Sequence, residues 1–145
     1  MRTEIKGFFD EYRFLSNFWP AWVFFDGQLY PTTEHAYQAA KTFDEEIRFT
    51  IRTAKTAAVA KNIGGALKLR PDWEAVKEDV MLDLLIQKFT HPPLKKLLLA
   101  TGTAYLEETN TRKDTPWGVR NGIGKNRLGH LLMSIREDIR EIENA

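Results

Sequence analysis

Apolar residues recur at helical spacing in several stretches of this chain, separated by short polar or glycine-containing breaks, and the pattern predicts a mainly α-helical domain. A small β element precedes the helices. Trp22-Val23-Phe24-Phe25 and Gln28-Leu29-Tyr30 flank Asp26-Gly27, a pair that accepts the positive φ angles of a tight primed turn, so they read as a hairpin. The hairpin leads into Pro31-Thr32-Thr33-Glu34-His35-Ala36-Tyr37-Gln38-Ala39-Ala40-Lys41, a helix with Thr32 or Thr33 as its cap and alanines that tolerate close neighbours. Further helices are expected over Asp44 to Arg52 and Thr56 to Ile63, the latter stopped by Gly64-Gly65. The run from Asp72 to Phe89 spaces Trp73, Val76, Val80, Leu84 and Leu85 as one long helix and ends before Pro92-Pro93. A short helix over Leu94 to Ala100 closes at Gly102, and a terminal one runs from about Arg127 towards Asn144 with Leu128, Leu131, Leu132, Ile135 and Ile139 inward.

The helix after the hairpin carries the first candidate chemistry. Glu34, Gln38 and Lys41 are four and three residues apart, so an acid, an amide and an amine share one stripe. The competing reading is a solvated face with Glu34 complementing the helix dipole. His35 points away from that stripe and reads as a satisfied packing residue.

Composition narrows the classes. The length of 145 residues, 43% hydrophobic, suits a single domain spanning residues 1–145. Lys and Arg total 21 against 20 acids, a net charge of +1, so no global field announces nucleic acid or an anionic membrane, and an anionic ligand must be met by local charge. Cysteine is absent, which rules out disulfides and a thiolate nucleophile and suits a reducing cytosol. His35, His91 and His130 lie far apart without ligand spacing, so no metal and no cofactor is expected. Neither an N-terminal apolar h-region nor a membrane-length run is present, and the expectation is a soluble cytoplasmic domain.

A second candidate region runs from Glu107 to Gly129. It mixes Glu108, Asp114, Trp117, Arg120, Lys125, Asn126 and Arg127 with Gly118, Gly122, Gly124 and Gly129 in a stretch too polar for core. Amides released by the glycines, with the basic residues and the start of the last helix, offer a place for phosphate. The glycine spacing matches neither a Walker loop nor a dinucleotide fingerprint, and a plain surface loop is the alternative.

Taken in order, these regions resemble the YbiA-like N-glycosidase family, also called the NADAR superfamily. The matching pieces are Phe14-Leu15-Ser16-Asn17-Phe18-Trp19-Pro20, Asp26-Gly27, Tyr30, Glu34 through Lys41, Ala60-Lys61, Gly64, Asp72-Trp73, Met81, Lys88-Phe89, Ala100-Thr101-Gly102, Asp114, Trp117-Gly118 and Asn126-Arg127-Leu128-Gly129. The resemblance spans nearly the whole chain. It implies a compact, mostly helical fold and hydrolysis of the bond between a ribose carbon and a base or amine. Described members act on phosphoribosylamino-pyrimidine intermediates of riboflavin synthesis, while relatives look like erasers of ADP-ribose from guanine bases.

Breaking a ribosyl C–N bond builds positive charge on the sugar and negative charge on the leaving nitrogen, so a carboxylate near C1 and a proton donor near the base are needed. Glu34 fits the first need, with Asp114 as partner carboxylate. Lys41 has two readings, a phosphate or salt contact and a Schiff-base nucleophile. Trp117 offers a stacking face for a base, and Trp19 and Phe18 another wall, although core packing is the simpler account of Phe18 and Trp73. Asn17, Gln38, Glu108, Gly118, Arg120 and Asn126 complete the candidate substrate-binding set.

The primary expectation is a metal-independent N-glycosidase acting on a phosphoribosyl compound. Its alternatives are an ADP-ribosyl-guanine hydrolase acting on nucleic acid and a non-catalytic ADP-ribose or nucleotide-binding module. The second is disfavoured because a phosphate binder gains little from buried carboxylates. All of these readings require Glu34 and the Trp117 loop to share a cavity.

Overall fold

Asp26 and Gly27 carry φ angles of 47° and 78°, the backbone of a primed hairpin turn, and the flanking strands pair antiparallel with Phe25 opposite Gln28. The computed structural model describes residues 2–110 and 116–145. In chain order its elements are β1 (Glu4–Lys6), a 3-10 turn (Asp10–Leu15), β2 (Pro20–Phe25), β3 (Gln28–Thr32), α1 (Thr33–Ala40), α2 (Glu45–Arg52), α3 (Ala57–Ala66), α4 (Trp73–Lys88), α5 (Pro92–Ala100), β4 (Tyr105–Glu107) and α6 (Arg127–Glu143). The fold is mainly helical. Its elements gather into two compact units, Asn17–Thr90 and the paired segments Met1–Ser16 and His91–Ala145. Among the described residues, no helix is long and apolar enough to cross a membrane.

In the unit Asn17–Thr90, α1 packs against β2, β3, α2, α3 and α4, which explains why each of its eight residues is buried. Alanines at 36, 39 and 40 make that crowding possible by letting neighbouring backbones approach. Tyr37 stacks at a tilt on Trp73 of α4, with ring centroids 5.1 Å apart. Arg48 of α2 is 5% exposed and donates from Nε to the Ala39 and Thr42 carbonyls at 3.2 and 2.7 Å, satisfying backbone oxygens at the end of α1. Its Nη1 reaches Asp26 Oδ2 in the hairpin turn at 2.8 Å.

In the other unit, β1 and β4 form a parallel two-stranded sheet with Ile5 opposite Leu106. The start of α6 lies against β4, and α5 packs on α6 and the 3-10 turn. Leu98, Leu106 and Leu132 are fully buried. Two arginines of α6 close the end of α5, Arg136 Nη1 donating to Thr101 Oγ1 at 2.9 Å and Arg140 Nη2 to the Gly102 carbonyl at 2.6 Å.

Two helix boundaries and two strands differ from the sequence expectation. The third helix continues through Gly64-Gly65 to Ala66, because Gly64 serves as a contact point inside the helix rather than as its stop. The next-to-last helix begins at Pro92, since proline is suited to the first turn, where its missing N–H has no intrahelical use. The strands β1 and β4 were not expected, being three residues each and paired across most of the chain.

Candidate active site

The early stripe is buried rather than solvated. Glu34 is 6% exposed and Gln38 3%, which removes the surface-helix alternative for these two. Thr32 is the cap of α1, its hydroxyl accepting the His35 N–H at 3.0 Å. Gln38 Nε2 donates to Glu34 Oε2 at 3.3 Å, one helical turn apart. The Glu34 N–H donates to the Asn17 carbonyl at 3.1 Å, and Asn17 Nδ2 donates weakly to Met81 Sδ at 3.6 Å. Asn17, Glu34 and Gln38 therefore form one connected polar group.

Two acceptors in this group, Asn17 Oδ1 and Gln38 Oε1, are buried with no hydrogen-bond partner among the described residues. An orphaned buried acceptor costs about 1–3 kcal/mol, so two in one polar group mark a place where stability yields to another demand. Gly64 makes room for the amide: a Cβ there would lie 1.9 Å from Gln38 Oε1 and 2.9 Å from its Cβ. Lys41 is the half-buried residue that ends α1, its ammonium 5.6 Å from the Tyr37 ring centre. Trp19 is half-buried, while Phe18 is 42% exposed, so core packing does not account for Phe18; Trp73, at 4%, is core as expected.

His35 is the packing residue the sequence predicts. Its Nε2–H donates to the Ala54 carbonyl at 3.1 Å, and Nδ1 accepts from the Thr32 hydroxyl at 2.7 Å. Burial pushes its pKa below the ordinary histidine value, outweighing the carbonyl, which favours the protonated ring. The unfolded chain therefore takes up the proton first as pH falls. Stability linked to His35 is fully present above about pH 6.5 and declines as pH drops through the folded pKa. Denaturant midpoints are expected to fall more between pH 7.5 and 5.5 in the parent than in His35→Gln; equal losses would exclude His35 as a source.

The later candidate residues belong to the other unit. Trp117 is 9% exposed, Glu108 and Asn110 are half-buried and Arg120 is exposed. Arg120 and Ile123 exchange backbone hydrogen bonds at 2.9 and 3.0 Å around Asn121-Gly122, both at positive φ, so this part of the loop is a tight turn. Gly118 passes too close to Asn110 and the Glu108 carbonyl for any side chain. Asn126 is 2% exposed; Nδ2 donates to the Leu106 carbonyl at 2.9 Å and the Tyr105 hydroxyl at 3.1 Å, while Oδ1 accepts the Glu108 N–H at 3.0 Å. This fixes the loop against β4. Asp114 lies outside the described residues.

Three buried cations, Arg48, Lys88 and Arg136, escaped the sequence reading as site candidates. Arg48 has its structural task at the end of α1; Lys88 is fully buried on α4 with its ammonium 5.1 Å from the Phe89 ring centre. The signal for Lys88 was its place four residues after Leu84 and seven after Met81, a core position filled by a charge. Among the described residues, no group of three or more His, Cys, Asp or Glu could hold a metal ion.

A NADAR domain matches residues 5–140. The chain belongs to the NADAR domain family. This NADAR chain is 47% identical over 136 residues to N-glycosidase YbiA of Shigella boydii, covering 90% of this chain and 83% of that protein. A riboflavin biosynthesis protein of Vibrio vulnificus is 35% identical over 136 residues, 91% of this chain but 37% of that longer protein. The NMR structure of the E. coli protein YbiA superposes with a TM-score of 0.83 at 43% identity, covering 99% of the NADAR chain and 89% of the other.

Proposed function

We propose that this NADAR protein hydrolyses the C–N bond joining a phosphorylated ribose to a base or amine, with phosphoribosylamino-pyrimidine intermediates of riboflavin synthesis as the substrate class. The reaction class follows its N-glycosidase relatives, and the riboflavin protein among them supports the substrate class. The observation that carries the reading is the buried Glu34 carboxylate, bonded by Gln38 in a polar group that holds two orphaned acceptors.

In this proposal the C1–N bond breaks, a water oxygen bonds to C1, and a proton passes to the leaving nitrogen. Glu34 stabilises the cationic sugar or takes the proton from the attacking water. Trp19 contacts the base, and Asn17 and Gln38 the sugar. Gly118 and Asn126 hold the loop that presents Trp117. The setting is cytoplasmic, in keeping with a chain lacking cysteine.

Lys41 acts through its charge, as a phosphate contact. Lys41→Arg is then expected to retain turnover within about tenfold, while Lys41→Met loses about a hundredfold or more. An arginine variant as inactive as the methionine variant would assign Lys41 the covalent role instead. The substrate test is incubation of purified protein with a phosphoribosylamino-pyrimidine and with an ADP-ribosylated oligonucleotide. Release of ribose phosphate from the first, detected by mass spectrometry, is the expected result; exclusive release of ADP-ribose from the second would replace this reading.

A further inference from the structure

Three contacts fix how α3 runs beside α1. His35 Nε2 reaches the Ala54 carbonyl just before α3, Gln38 lies against Gly64 within it, and the Lys41 carbonyl accepts the Arg70 N–H at 2.7 Å beyond it. Rising residue numbers on one side meet rising numbers on the other, so the two helices are parallel. The stripe of α3 turned inward is Ala57, Ala60 and Gly64, and Gly64 faces Gln38. Lys61 is one turn before Gly64 and about 60° around the helix from it, at the border of that stripe, and it is half-buried. Helical side chains lean towards the N-terminus, which directs Lys61 to the level of Glu34, one turn before Gln38.

We infer that Lys61 is a positioning residue of the Glu34 site, its ammonium keeping the buried carboxylate ionised for catalysis; this rests on the reading of Glu34 as the catalytic carboxylate. A carboxylate 6% exposed needs a compensating charge to stay ionised near neutral pH. Other titratable groups on the elements around α1 are Tyr30 on β3, Glu45, Glu46, Arg48 and Arg52 on α2, and Glu74, Lys77, Glu78, Asp79, Asp83 and Lys88 on α4, besides His35 and Tyr37 on α1 and Lys41 at its end; β2 carries none. Arg48 serves the far end of α1, and Arg52 stands 5.3 Å from the Phe49 ring centre. The parallel register gives Lys61 its place beside Glu34.

The test is a carbon-detected NMR titration of the Glu34 carboxyl group in the parent, Lys61→Met and Lys61→Arg, with Lys96→Met on α5 as a net-charge control. Lys61→Met is expected to raise the Glu34 midpoint by about one pH unit or more, and Lys61→Arg to restore it. The acid limb of kcat/KM moves with it. Should Lys61→Met fold poorly, Lys61→Gln serves for the same titration. A midpoint unchanged in the neutral variant, or moved equally by Lys96→Met, overturns the inference. Full turnover in Glu34→Gln overturns the glycosidase role of Glu34 instead, and the titration distinguishes the two failures because it needs no activity.

Discussion

Glu34→Gln is expected to lower kcat/KM by about a thousandfold while leaving the protein folded. The rate loss follows from removing the negative charge that the cationic sugar requires, an effect of the order seen for general acid–base and electrostatic groups. The fold is kept because the amide preserves the shape and an oxygen for Gln38 Nε2, 3.3 Å from the carboxylate, while the half-buried Lys61 ammonium that loses its opposite charge can extend to water. Activity within threefold of the parent would show that catalysis resides elsewhere. Equal loss of activity and of melting temperature would reduce Glu34 to a structural role.

The largest effect on stability is expected at Gly129, in the first turn of α6. A Cβ at this position would lie 2.1 Å from the Leu106 carbonyl oxygen and 2.4 Å from Asn126 Nδ2. Neither is a flexible tip: one is backbone of β4, and the other is the amide holding that strand to α6. Gly129→Ala must force helix and strand apart, at a cost of about 3 kcal/mol or more. Gly65→Ala is the matched control, since its Cβ meets nothing within 4 Å and alanine is favoured in a helix interior. Denaturant unfolding of both variants checks the contrast; a Gly129→Ala protein as stable as Gly65→Ala would contradict the close packing of α6 on β4.

The helices and the hairpin were legible because their signals are local. Asp26-Gly27 dictates its turn, Thr32 caps α1, and the spacing of Trp73 to Leu85 requires a long helix. Gly64 was misread for a physical reason: a glycine that ends a helix and one that admits a neighbour look identical in sequence, and the Gln38 contact distinguishes them. The Glu34, Gln38 and Lys41 stripe was readable from spacing, but its burial depends on five other elements converging on α1. Asn126 looked like a polar ligand because its partners are the Leu106 carbonyl on β4 and the Glu108 amide just after it, and that strand is too short to announce itself. Phe18 shows the opposite limit, an aromatic whose composition suggested core and whose position is exposed.

The pairing of β1 with β4 sets an order for the growing chain on the ribosome. Residues 17–90 are contiguous, and every partner they need within their unit has been synthesised by Thr90. Ile5, made well before that unit, must wait for Leu106 to emerge. At about 5–20 residues per second that is a delay of several seconds, during which the first strand has an open edge. A nascent chain arrested before residue 105 therefore exposes that edge, and such truncated products are natural targets for chaperones and proteases.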